Sequence, residues 1–259
     1  MSRPSTGALS DATDRLGAAG CIAPDEEAAE LAASAQDDET LAALVERRST
    51  GEPLAWITGS ARFCGCLIAV TAGVYVPRWQ TEPLAERAAE LLPPDGRAID
   101  LGTGSGAIAF VLIDRCPDAS VLGTESDPVA VACARSNGVT VAEGDLFEGV
   151  PASWKGSVDV IVAVLPYVPT DEIEYLPRDV RDFEPSTALD GGLDGLATVR
   201  RAVIEARQWL RIGGYVLFEI GGDQPEVLAP ILEAEHFASI RVLSDADGDP
   251  RGVEAVAVL

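Results

Sequence analysis

Three glycines at alternate positions follow an aspartate in Asp100-Leu101-Gly102-Thr103-Gly104-Ser105-Gly106, and a continuous apolar run, Ala107-Ile108-Ala109-Phe110, comes next. The residues before Gly102 carry the signal of a buried strand and those after Gly106 that of a packed helix. A turn of that kind lets a ligand approach backbone where a Cβ would collide, and the exposed N–H groups of the helix start favour polar or anionic ligand atoms. By itself the motif fits both a sulfonium-cofactor loop and the G-x-G-x-x-A form of the dinucleotide fingerprint.

Acidic residues downstream separate the two readings. Glu125 ends the strand-like Val121-Leu122-Gly123-Thr124 and can accept both hydroxyls of a ribose; Asp145, in Glu143-Gly144-Asp145-Leu146-Phe147, can accept from an adenine amino group. Asp100 stands where a positively charged amino-acid tail or a sulfonium would lie. Carboxylates at consecutive strand ends favour a cofactor carrying ribose, adenine and positive charge. A dinucleotide would call for a second mononucleotide half, and no second glycine fingerprint is present. The expected cofactor is S-adenosylmethionine, held by Asp100, Gly102, Thr103, Gly104, Gly106, Glu125, Ser126, Asp145 and Leu146.

The elements that must position these residues alternate along the chain. Helices are expected over 84–92, 107–115, 128–136, 195–210 and 225–234, and strands over 98–101, 120–124, 139–141, 158–164 and 214–220, with closing strands at 238–243 and 254–259. That pattern predicts an α/β fold, a doubly wound, mostly parallel sheet ending in an antiparallel hairpin at one edge. Three parts are expected: a short helical segment over residues 1–50, a connecting hairpin within 51–76, its strands between Phe63 and Val76, and a cofactor-binding domain over 77–259.

Composition excludes several classes. The chain has 259 residues, 47% of them hydrophobic, enough for a substantial core. It has no run of about 18 apolar residues and no signal-peptide core after Met1, so a cytoplasmic protein is expected. A net charge of −23 without a Lys/Arg cluster disfavours nucleic acid and anionic membranes as partners. Five scattered cysteines, with Cys64-Gly65-Cys66 wrongly spaced for the common zinc pairs, read as reduced thiols; no metal is expected. His236, the one histidine, reads as a surface or packing residue.

From Gly51 to Leu259 the sequence resembles the HemK/PrmC family of S-adenosylmethionine-dependent methyltransferases, which modify a glutamine side-chain amide in peptide-chain release factors. The likeness is carried by Gly51-Glu52-Pro53-Leu54-Ala55-Trp56-Ile57-Thr58-Gly59, Val76-Pro77-Arg78 with Thr81-Glu82, the glycine turn, Gly144-Asp145-Leu146-Phe147 and Phe183-Glu184-Pro185. It continues in Ala188-Leu189-Asp190-Gly191-Gly192, Phe218-Glu219-Ile220-Gly221 and Asp249-Pro250-Arg251-Gly252-Val253. Residues 1–49 are shorter than the family's usual helical domain.

At one place the likeness fails. The family's fourth strand ends Asn-Pro-Pro-Tyr, whose Asn side chain and following carbonyl hold the N–H groups of the acceptor amide; here Val164-Leu165-Pro166-Tyr167 stand in those positions. These four residues are the expected catalytic set, and the resemblance implies an acceptor pocket formed by Arg78, Trp79, Thr81, Tyr167, Glu184 and Pro185. Val164 neither donates nor accepts, and Trp79 replaces a family proline, so a more apolar pocket is expected. One buried unpaired polar group costs about 1–3 kcal/mol, one to two decades in rate when felt at the transition state. The leading expectation is methyl transfer to a small apolar or aromatic acceptor instead of the release-factor glutamine. Release-factor methylation, another sulfonium displacement such as ring closure, and non-catalytic cofactor binding stand as alternatives.

Overall fold

The computed structural model describes residues 3–245 and 247–259. Three helices open the chain, α1 (Thr6–Ala18), α2 (Pro24–Ser34) and α3 (Asp38–Ser49). Ser5 caps α1 by accepting from Ala8 N–H, and Asp37 caps α3 by accepting from Thr40 N–H. Ala12, Leu16, Ala28, Leu31, Leu41 and Val45 close a small core of their own between them. A short helix α4 (Leu54–Thr58) and a hairpin of β1 (Ser60–Phe63) and β2 (Cys66–Ala69) follow. The hairpin lies earlier than the sequence suggested, because the turn is made at Cys64-Gly65, both at positive φ; Val70 N–H still donates to the Gly59 carbonyl at 3.0 Å, and residues 71–76 run on outside the hairpin.

The remaining chain forms α5 (Glu82–Leu91), β3 (Arg97–Leu101), α6 (Ala107–Arg115), β4 (Ser120–Glu125), α7 (Pro128–Ser136), β5 (Val141–Glu143), β6 (Val158–Ala163), α8 (Arg178–Arg181), α9 (Ala197–Ala206), β7 (Leu210–Glu219), α10 (Gln224–Ala234), β8 (Phe237–Ser244) and β9 (Pro250–Ala257). Seven strands make one sheet in the order β5-β4-β3-β6-β7-β9-β8. Pairs from β5 through β7 are parallel, and β9 runs antiparallel between β7 and β8. The sheet is thus the doubly wound, mostly parallel α/β fold that the strand–helix alternation predicts. The closing hairpin is not simply appended: its second strand inserts next to β7, and β8 becomes the edge.

Both faces of the sheet are covered, so its strands carry apolar side chains on both sides. Ala98, Val160, Val162 and Leu217 pack under α5 and α6, while Ile99, Ile161, Ala163 and Phe218 pack under α9 and α10. Strand order reverses at β3, whose neighbours are β4 and β6. Open α/β sheets bind ligands in the crevice outside the carboxyl ends of the strands at such a switch point. The glycine turn leaves β3 there, and Val164-Leu165-Pro166-Tyr167 leaves β6 beside it. No helix among the described residues is long and apolar enough to cross a membrane.

Candidate active site

A continuous cavity of about 490 Å³ opens at those strand ends, within the range of small-molecule sites. Asp100, Gly102, Thr103, Gly104, Glu125, Ser126, Asp145 and Leu146 line it at one end. Arg78, Thr81, Val164, Leu165, Pro166, Tyr167 and Pro185 line it at the other. Residues from most of the length of the chain therefore meet in one space.

The cofactor end is built by hydrogen bonds between the β3 and β4 exits. Thr103 N–H donates to the Thr124 carbonyl at 2.9 Å, and Thr103 Oγ1 donates to Asp100 Oδ2 at 2.6 Å. Ala109 N–H, in the first turn of α6, also donates to Asp100 Oδ2, at 3.0 Å. Asp100 is fully buried, and that desolvation pushes its carboxyl up to about 7 against the pull of the two donors. Glu125 Oε2 accepts from Gly104 N–H at 3.0 Å, and Oε1 accepts from the N–H groups of Ser126 at 2.8 Å and Asp127 at 2.9 Å. With three of the carboxylate's about four lone-pair sites filled, about one remains for a further donor such as a ribose hydroxyl.

These residues fit a nucleoside cofactor on two structural grounds. Gly104 sits at φ +57° with no atom nearer than 4.0 Å to the place a Cβ would take, so a side chain there would fill the cradle. The Thr124 hydroxyl, in the cavity wall, is buried without a partner among the described residues. Asp145 differs from expectation in its surroundings: its carboxylate is exposed and ion-paired with Arg201, which also lines the cavity. An adenine amino group would have to share that carboxylate with a guanidinium. Gly106 ends the turn as the residue before α6; it does not itself line the cavity.

The acceptor end is more polar than the sequence suggested. Trp79 is 66% exposed and stands outside the cavity, because it starts a tight turn whose inward residue is Thr81, 4% exposed. The aromatic walls come from Tyr75 and Tyr167 instead. Glu184 is not part of the wall: it lies behind it, its side chain 1% exposed, paired with Arg78 at 2.6 Å. Burial raises the Glu184 carboxyl and the Arg78 guanidinium opposes that rise. The same guanidinium covers the Tyr75 ring at 4.8 Å from its centroid. Pro185 does line the cavity, next to Thr187, Ala188 and Leu189.

Tyr167 is fixed by its backbone as well as its ring. Its carbonyl accepts from Gln224 Nε2 at 2.8 Å, and Val168 N–H donates to the Leu189 carbonyl at 3.1 Å. Its hydroxyl donates to Glu219 Oε1 at 3.0 Å. Glu219, at the end of β7, and Arg251, in β9, complete this wall. Neither Tyr75 nor Arg251 was singled out as a site residue from sequence, and Glu219 only in passing. Tyr75 lies in an irregular segment with no pattern of its own, and Arg251 stands in a block that carried the likeness without pointing to the cavity; only the tertiary structure brings them together.

Comparison with known proteins bears on both ends of the cavity. A family model described as a methyltransferase domain matches residues 98–183. The release factor glutamine methyltransferase of Geobacter sulfurreducens is 39% identical over 216 residues, 81% of this chain and 75% of that protein. That of Mycolicibacterium smegmatis is 35% identical over 277 aligned residues covering 97% of each chain. Among solved structures, a ribosomal protein L11 methylase from Lactobacillus delbrueckii subsp. bulgaricus superposes with a TM-score of 0.53 at 18% identity, covering 74% of this chain and 86% of that one. At that identity the likeness speaks for the fold alone.

Proposed function

Since the chain belongs to the HemK/PrmC family of S-adenosylmethionine-dependent methyltransferases, we propose that it transfers the methyl group to an acceptor other than the release-factor glutamine, a small and largely apolar or aromatic molecule. The observation that carries this reading is Val164. It is half-buried in the cavity wall between the cofactor cradle and Tyr167, at the position where the family places its amide-holding asparagine. A carboxamide acceptor placed there keeps the Leu165 carbonyl as a partner and loses the side chain that would orient its second N–H. Tyr75, Tyr167, Val74 and Ile108 offer apolar surface around the same space.

When bound, S-adenosylmethionine supplies a methyl group activated by its sulfonium. The residues of this chain contribute placement. Gly104 and the Glu125 carboxylate hold the nucleoside part, and Asp100 offers negative charge toward the cationic part. Val164 and Leu165 keep the reaction space free of water, and Tyr167 orients the acceptor. Positioning two reactants in a dry site supplies much of the acceleration of a displacement reaction, so a changed acceptor grip alters the substrate without altering the fold.

A second reading, release-factor glutamine methylation retained despite Val164, is favoured by the names of the relatives and by the match to the mycobacterial protein along nearly the whole chain. One experiment separates them: S-adenosylhomocysteine release from a release-factor glutamine substrate by the wild type and by Val164→Asn. On the proposed reading the wild type gives no turnover on that substrate. Measurable wild-type turnover that rises about 10- to 100-fold in Val164→Asn, the worth of one buried polar group satisfied at the transition state, would establish the second reading.

A further inference from the structure

Resting on the proposal of a changed acceptor, we infer that the Tyr167–Glu219 pair presents a hydrogen-bond acceptor to the cavity, so that the substrate is a nucleophile donating an O–H or N–H. The register of the sheet places the pair. Ala163 of β6 is level with Phe218 of β7 in a parallel ladder, so the next residues, Val164 and Glu219, leave adjacent strands on the same face. Neighbouring strands stand about 4.8 Å apart. Where position 164 offers no polar group, the nearest strand-end polar group on that face is Glu219.

Glu219 is 4% exposed and lines the cavity. Its Oε1 accepts the Tyr167 hydroxyl proton at 3.0 Å, and its Oε2 is buried without a partner among the described residues, as is the nearby Thr81 hydroxyl. A phenol has one proton and two lone pairs. With the proton directed at Glu219 Oε1, the Tyr167 oxygen presents lone pairs alone to the cavity. Burial, with Glu219 beside it, raises the tyrosine hydroxyl far above its ordinary range, so it stays protonated; burial raises the Glu219 carboxyl as well, against the pull of Thr81, Tyr167, Arg251 and Arg78. The charged and titratable groups facing Glu219 are Tyr167 from the segment leaving β6, Tyr75 and Arg78 from the segment before α5, and Arg251 from β9. Arg251 is itself paired with Asp245 at 2.7 Å, and Arg78 with Glu184 at 2.6 Å. Each arginine thus has a carboxylate partner of its own outside the Tyr167–Glu219 pair. The Leu165 carbonyl, in the same wall, is a second acceptor-only group.

The test uses the intact protein loaded with S-adenosylhomocysteine and two probes of the same shape, p-cresol, which donates an O–H, and 4-fluorotoluene, which does not. Ligand-observed NMR titration gives the affinity of each, and calorimetry gives the S-adenosylhomocysteine affinity of every variant. Wild type is expected to prefer p-cresol about 3- to 10-fold, the worth of one net hydrogen bond. In Tyr167→Phe the preference falls to about one. In Glu219→Gln the amide donates to Tyr167 and turns the phenolic proton toward the cavity, and the preference is likewise lost, with S-adenosylhomocysteine binding unchanged in both. Equal affinity for the two probes in wild type, a preference that survives in either variant, or failure of both probes to bind would overturn the inference. Turnover of the release-factor substrate by wild type with the probe preference intact would instead remove the small-acceptor reading and leave the polarity of the pair standing.

Discussion

At the scale of single residues, the site is governed by what burial does to carboxyls. Asp100 has two donors on one oxygen, Thr103 Oγ1 and Ala109 N–H, and still titrates near 7, because desolvation outweighs both. Its carboxyl lies above the ordinary aspartate value, so the folded protein holds the proton more tightly than the unfolded chain. Stability from this residue is complete below about pH 4 and declines as pH rises to about 7, by up to ~4 kcal/mol. Asp100→Asn removes that titration. Its Tm relative to wild type is expected to climb steadily between pH 4 and pH 8 when both are followed by calorimetry, and a difference independent of pH would show that Asp100 is not the buried acid described here. A buried acid that costs stability at neutral pH and lies in a cleft marks a candidate functional residue.

Among the elements, the segment leaving β6 matters most, because it holds Tyr167 at the cavity. Pro166 and Pro169 fix φ on either side of Tyr167 and Val168, and hydrogen bonds from neighbouring segments hold the rest. Gly191 N–H donates to the Val168 carbonyl at 2.9 Å, and Thr170 N–H donates to the Gly192 carbonyl at 2.9 Å. Gly195 lies against the Tyr167 carbonyl and the Gln224 amide, at φ +73°, so closely that a Cβ has no room. Gly195→Ala therefore combines an unfavourable backbone angle with a clash against fixed backbone, and a loss of about 2 kcal/mol or more is expected in denaturant unfolding. Because the glycine turn after β3 is held by Thr124 and Glu125, S-adenosylhomocysteine affinity is expected to change less than about threefold, by the near-independence of separated sites. Equal loss of both would mean that the two ends of the cavity are coupled through the sheet.

For the whole molecule the dominant quantity is the net charge of −23. Its arginines are heavily engaged. Arg48, its side chain 11% exposed, ties α3 to Glu27 of α2 at 2.6 Å and to Asp179 of α8 at 3.4 Å, linking the helical bundle to the larger sheet domain. The surplus of carboxylates remains at the surface and repels itself, and added salt screens that repulsion over a Debye length of about 10 Å at 0.1 M. Raising NaCl from 20 to 500 mM is expected to lift the Tm by a few degrees. A flat or falling Tm would show that the ion pairs, which salt weakens, outweigh the repulsion.

Much of this was legible in order along the chain. The strand, glycine turn and helix around Gly104, the alternation that makes a parallel sheet, and the departure at Val164 are local patterns, set by hydrophobic period and by which residues tolerate positive φ. Boundaries moved where long-range pairing decided them: α9 stops at Ala206 because Leu210 is taken into a ladder with Val158, and β5 begins at Val141, the residue that pairs with Gly123. The acceptor end was the least legible. Whether Trp79 faced the cavity, whether Glu184 formed its wall, and that Glu219 stands level with Val164 depend on strand order and register, which join residues more than fifty positions apart. Sequence by itself determined the fold class and the strand–glycine turn–helix around Gly104, because those rest on local patterns. Only the tertiary structure decided the polarity of the acceptor pocket, because a hydrogen bond between two strand ends has no counterpart in the spacing of either strand.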